Sequence, residues 1–143
     1  MQTLYRNTQM GWAVIIPVEI IALFCLYLAL AKGVLQAGFL FFLLLILSYL
    51  FYSLTVTGTA DTLEIRFGVG LIRKKFKLGE VMTAQPHRTA WWDGWGIHYT
   101  TQGLLFNVSG FDAVKLTMTN GRRYIIGTND PGALLLFIQS HRK

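Results

Sequence analysis

The chain has 143 residues, of which 53% are hydrophobic and only 14% charged, so it holds one modest domain together with apolar surface that an ordinary soluble domain does not need. Its formal net charge of +6 favours anionic surroundings. Its single cysteine, Cys25, excludes an internal disulfide and a cysteine-based metal site.

The charges are unevenly placed. Between Arg6 and Lys32 only Glu19 is charged, and between Lys32 and Asp61 nothing is. Residues 55–143 hold eleven Lys/Arg against six Asp/Glu, so +5 of the +6 lies there. The segment Gly11–Ala31, "GWAVIIPVEIIALFCLYLALA", is long enough to cross a bilayer core as a helix, and so is Ala37–Leu54, "AGFLFFLLLILSYLFYSL". The short linker Lys32–Gln36 joins them as a transmembrane hairpin over residues 1–54. Trp12, Tyr27, Tyr49 and Tyr52 fall near the expected span ends, where amphipathic rings are favoured. Cys25 reads as a small membrane-facing hydrophobe. Ala29-Leu30-Ala31 resembles a signal-cleavage site, but the apolar run exceeds a signal core and a second run follows at once.

Arg6 precedes the first span and Arg66, Arg73, Lys74 and Lys75 follow the second closely, whereas only Lys32 lies in the turn, which predicts a multi-pass membrane protein with both termini cytoplasmic. Glu19 has two readings. An intramembrane carboxylate is a functional candidate by default. Alternatively it reaches the headgroups, or is neutral and hydrogen-bonded to a neighbouring helix.

From Thr55 the pattern alternates, which predicts strands. In "TLEIRF", Leu63, Ile65 and Phe67 alternate with Glu64 and Arg66. In "LIRKKFKL", Ile72, Phe76 and Leu78 share one parity and Arg73, Lys75 and Lys77 the other, with Lys74 an exception on the apolar side. The glycines of "GVG" (68–70) join the two as a hairpin. "GEVMTAQPH" predicts a short edge strand ended by Pro86, "GIHYTT" and "GLLFNVS" a second hairpin, and "AVKLTMT" and "RRYIIGT" a third across Asn120-Gly121, where both residues tolerate positive φ. Asp130 and Pro131 then open a helix with an apolar stripe of Leu134, Leu135 and Ile138, and His141, Arg142 and Lys143 complement its negative end.

Seven strands followed by one helix resemble the pleckstrin-homology fold. The segments "TLEIRFGVGLIRKKFKLGEV" and "WWDGWGIHYTTQGLLFNVSGFDAVKLTMTNGRRYIIGTNDPGALL" are similar to a bacterial PH-domain membrane protein family, over residues 55–138, most specifically in the Trp/Gly stretch, "NVSGFDAV" and "GTNDP". The resemblance implies an α+β protein of the bacterial inner membrane: a two-helix hairpin followed by a PH-like seven-stranded barrel, residues 55–143, capped by a C-terminal helix. It implies no catalytic residues.

Three features are candidate sites. Arg66, Arg73, Lys75 and Lys77 form a basic strand face that suits anionic lipid, since basic residues near a membrane gain about 1 kcal/mol each; the plainer reading is a solvated face. Trp91, Trp92 and Trp95 in "WWDGWG" are a membrane anchor, a partner surface, or rings packed into a small barrel beside two glycines. Glu19 is the intramembrane polar group. Nucleic acid is not expected, because the domain is tethered and lacks a recognisable module. Nor is an enzyme. His87, His98 and His141 are scattered, Ser109 lies off any nucleophile turn, and nothing in the spacing requires Asp93, His98 and Asp112 to meet. "GVG" lacks the following helix of a phosphate loop, and "NVS" (107–109) on a cytoplasmic domain escapes glycosylation. The expected task is therefore self-association or binding of another membrane protein, or alternatively anionic headgroup binding, without cofactor, metal or small-molecule substrate.

Overall fold

The computed structural model describes residues 2–142. The elements run β1 (Tyr5–Met10), α1 (Trp12–Lys32), α2 (Leu35–Phe51), β2 (Ser53–Gly58), β3 (Thr62–Phe67), β4 (Ile72–Lys77), β5 (Val81–Arg88), β6 (Gly96–Thr100), β7 (Gly103–Asn107), β8 (Asp112–Met118), β9 (Arg123–Gly127) and α3 (Pro131–His141).

The architecture is α+β, with an apolar helix near the N-terminus and strands in two sheets. It has nine strands rather than the expected seven. One addition is β1, which pairs antiparallel with β2 in the order β1-β2-β3-β4. Its sequence shows no apolar alternation because its inward positions are Tyr5, Asn7 and Gln9. Tyr5 stacks on Phe137 at 5.3 Å, and Gln9 donates through Nε2 to the Ser109 carbonyl at 2.7 Å. The other addition, β2, begins inside the stretch expected to be a second span. Ser53 and Leu54 leave the helix and are buried in the sheet.

That departure shortens α2 to 17 residues. Among the described residues α1 is the one helix long and apolar enough to cross a membrane, with 21 residues and a mean hydropathy of 2.5. The turn between them is Gly33-Val34, with Gly33 in the left-handed region at φ 64°. The two helices meet through small residues, Ala22 and Cys25 on one and Ala37 and Ser48 on the other, all buried. Small side chains let helix backbones approach closely. Cys25 therefore lies in the helix seam, not on the outer surface. Ile20, Phe24, Leu30, Phe39 and Phe42 point outward and are exposed.

The hairpin is locked to the sheet at one end. The Gly11 N–H donates to the Tyr52 carbonyl at 2.7 Å, and the Gly68 turn between β3 and β4 packs against the last turn of α2.

The second sheet has the order β5-β8-β9-β7-β6. The three expected hairpins are present. At Asn120-Gly121 only Gly121 takes a positive φ, and the loop between β8 and β9 is longer than the two-residue turn that the dipeptide suggests. Strand β9 inserts between β8 and β7, so β7 and β9 run parallel. Strand β5 is an edge strand as expected but continues through Pro86, which pairs with Val114; proline is tolerated where the N–H side faces solvent.

The core lies between the sheets. Leu54, Val56, Leu63, Ile65 and Phe67 meet Phe106, Val114, Leu116 and Ile126, and α3 closes it with Leu134, Phe137 and Ile138. Each such side chain contributes roughly 1.5–3 kcal/mol when fully buried. The Asp130 carboxylate caps α3 by accepting from the Ala133 N–H at 3.0 Å, with Pro131 at the first helical position. Leu135 is only half-buried and Phe137 takes its place in the stripe. Lys143, expected near the end of this helix, lies outside the described residues.

Candidate functional site

The outer face of the first sheet collects the basic residues. Register places Thr8, Thr55, Arg66 and Arg73 in one cross-strand row, and Arg6, Thr57, Glu64 and Lys75 in the next; Lys77 lies one row further, opposite Thr62. All four anticipated cations thus share one face. They are partly neutralised. Glu64 lies 3.5 Å from Lys75 Nζ and 4.0 Å from Arg66 Nε, Lys77 pairs with Glu80 at 3.4 Å, and Arg73 Nε donates to the Gly70 carbonyl. Exposed pairs of this kind contribute at most about 1 kcal/mol. Arg6 joins this face because β1 joins the sheet, which sequence reasoning missed. Next to the helix junction, Arg6 and Arg66 flank a pocket of about 350 Å³ lined also by Thr8, Thr55 and Tyr52.

The tryptophans lie on the surface. Trp91 and Trp92 are 75% and 72% exposed and meet edge to face at 5.8 Å, while Trp95 is 38% exposed. The local chemistry holds them out. Asp93 Oδ2 accepts from the Ala90 N–H at 2.9 Å, closing a single 3-10 turn, and Gly94 and Gly96 supply the positive φ that carries the chain into β6. Trp95 donates through Nε1 to the Gly110 carbonyl and packs on Phe111. The neighbouring Ser109 carbonyl accepts from Gln9, at the end of β1, and Val108 abuts Gly11 at the start of α1. The tryptophan loop therefore lies at the end of the β domain from which the helices emerge.

A third feature was not anticipated. Strands β4 and β6 are each one edge of their sheets, and between them the inner faces stay open as a cleft of about 750 Å³. Ile65, Phe67, Phe106 and Tyr124 form its floor; Arg73, Lys74, Arg122 and Arg123 stand around it, and no carboxylate lines it. Lys74, the exception to the β4 alternation, projects into this opening with Nζ 5.8 Å from the centre of the Tyr124 ring. That break in parity was the one sequence signal for the cleft.

No family model, curated protein or solved structure matches this chain.

The remaining polar groups are dispersed. Glu19 is half-buried within α1 and, among the described residues, has no ion pair or side-chain hydrogen bond. No group of three His, Cys, Asp or Glu residues gathers as a metal site among the described residues. Asn107 is fully buried and its amide donates to the Gly110 carbonyl, so the "NVS" acceptor is inaccessible in the folded chain. His87 has a pKa lowered mainly by burial and also by Lys115, with Asp93 opposing. The folded state therefore binds this proton less readily than the unfolded chain. Stability is full above about pH 6.5, the unfolded value, and falls as pH drops below it. Thermal unfolding followed from neutral to mildly acidic pH is expected to show this slope, flattened by His87→Gln.

Proposed function

We propose that this chain is a membrane-tethered binding and assembly module. In this reading α1 and α2 lie in the bacterial inner membrane as a hairpin with both termini cytoplasmic. The PH-like β domain rests on the bilayer surface and holds a second copy or another membrane protein there, without catalysis.

The observation that carries the reading is the shared end. Trp12 at the start of α1 and the loop bearing the exposed Trp91 and Trp92 lie at the end where the β domain meets the helices, and the apolar outer surface of the hairpin extends from that end. Indole rings favour the headgroup level of a bilayer. Although α2 alone is short, it lies antiparallel along α1 and shares its environment.

Fluorescence quenching by brominated lipids tests the placement. The full chain in phosphatidylcholine vesicles is expected to show strong quenching by lipids brominated near the headgroup, with much of it lost in Trp91→Phe/Trp92→Phe. Quenching unchanged by that double substitution would take the loop off the membrane. The alternative, direct binding of anionic headgroups, is favoured by Arg6 and Arg66 beside the threonine hydroxyls near Tyr52. Under that reading anionic lipid deepens the quenching, and Arg6→Gln/Arg66→Gln removes the gain.

A further inference from the structure

Lys74 occupies an inward position on β4, between Ile72 and Phe76. Buried there, an ammonium group would be strongly unfavourable. It is tolerated because the inner faces of the sheets do not close between β4 and β6. Among the described residues Lys74, Arg122 and Arg123 form no ion pair. Lys74 and Arg122 thus face one opening that no carboxylate lines, with Arg123 at its rim.

The cleft has a direction. Register places Ile72 opposite Phe67, and Ile97 opposite Phe106, in the half nearer the helix junction. Lys74 and Tyr124 lie further out, followed by Arg122 on the same parity as Tyr124, with Arg123 at the rim on the opposite parity of β9. Strand β6 covers about 13 Å at the usual rise per residue. The cleft is thus apolar towards the helices and cationic away from them, and its volume of about 750 Å³ is that of a small-molecule site.

We infer that this cleft binds a single-chain anionic amphiphile, its phosphate or carboxylate held by Lys74 and Arg122 with Arg123 at the rim, and its tail resting on Ile72 and Ile97. The direction of the tail, towards the bilayer, rests on the membrane placement proposed above. An acidic protein segment would satisfy the cations equally. It would, however, lay polar backbone against Ile72 and Ile97, where a hydrocarbon chain needs no partner.

Photo-crosslinking of the full chain in phosphatidylcholine nanodiscs tests the inference. The probe is lysophosphatidate with a diazirine in its acyl chain, compared with the matching lysophosphatidylcholine, and adducts are mapped by mass spectrometry. The anionic probe is expected to label the strands bearing Ile72 and Ile97. Lys74→Gln/Arg122→Gln is expected to reduce that labelling about thirtyfold, since two cations at about 1 kcal/mol each remove about 2 kcal/mol. Equal labelling of the cleft by both probes would overturn the charge recognition. Complete competition by inorganic phosphate would overturn the role of the tail, and competition by a poly-glutamate peptide would replace the amphiphile with an acidic protein. If the double variant melts early, the single variants Arg122→Gln and Lys74→Gln decide; unchanged labelling in both counts against the site. Labelling of α1 and α2 by the zwitterionic probe reports the membrane placement separately, so the two readings fail independently.

Discussion

Asn107→Ala is expected to lower stability by about 3 kcal/mol, because it leaves buried backbone donors without an acceptor. Asn107 is fully buried at the end of β7. Its Oδ1 accepts from the Val108 N–H at 2.9 Å and the Ser109 N–H at 3.3 Å, and its Nδ2 donates to the Gly110 carbonyl at 3.1 Å. One amide thus shapes the whole turn between β7 and β8. The consequence extends beyond stability. Ser109 and Gly110 supply the carbonyls that hold Gln9 and Trp95. Thermal unfolding should shift by roughly 10 °C or more, at several degrees per kcal/mol, and tryptophan emission should change before the transition as the Trp95 loop loosens. A melting temperature within a degree or two of wild type would show that the turn does not depend on this amide.

Gly68→Val is expected to cost about 3 kcal/mol or more, since a β-branched residue in the left-handed region is strained and here also lacks space. Gly68 has φ 48°, and a Cβ at this position would lie 2.5 Å from the Leu50 carbonyl oxygen and 2.7 Å from that of Tyr49. Both obstacles are backbone at the end of α2, which cannot rotate away. The β3–β4 turn must lift from the helix or the helix end must unwind. Gly70→Ala separates strain from crowding. Gly70 is also left-handed, at φ 90°, but its nearest obstacle is the flexible Arg66 side chain at 3.5 Å. That variant should lose only about 1 kcal/mol, the ordinary cost of an L-residue there. Thermal unfolding of the three proteins in one detergent measures both effects. Equal losses at the two positions would mean that contact with α2 adds nothing.

The legible parts of this protein are those whose signals are local. The alternation in "TLEIRF" and "IRKKFK" fixes the β3–β4 hairpin because period-two burial is a property of neighbouring residues. Asp130 and Pro131 start α3 through contacts within a single turn. The length and hydropathy of α1 need no tertiary information. The basic face was legible for the same reason, as Arg73, Lys75 and Lys77 must share one side of a strand.

The rest depended on contacts between distant segments. Strand β1 carries polar residues at its inward positions, so its pairing with β2, across the whole hairpin, leaves no periodic trace. The end of α2 leaves no mark in the sequence because "YSL" contains no charge, glycine or proline, and burial in the sheet serves Ser53 and Leu54 as well as a membrane would. Insertion of β9 between β7 and β8 is decided by packing across the sheet.

The same division applies to the sites. Sequence by itself determined that three indoles cluster beside two glycines and that Lys74 breaks an apolar row. Only the tertiary structure decided that Trp91 and Trp92 stand in the open, and that Lys74 faces an unfilled cleft. A tryptophan has the same chemistry in a core as at a surface, and a lysine on the apolar side of a strand is excluded from a closed barrel but admitted to an open one. Closure is set by which strand edges meet, and that is a property of the whole fold.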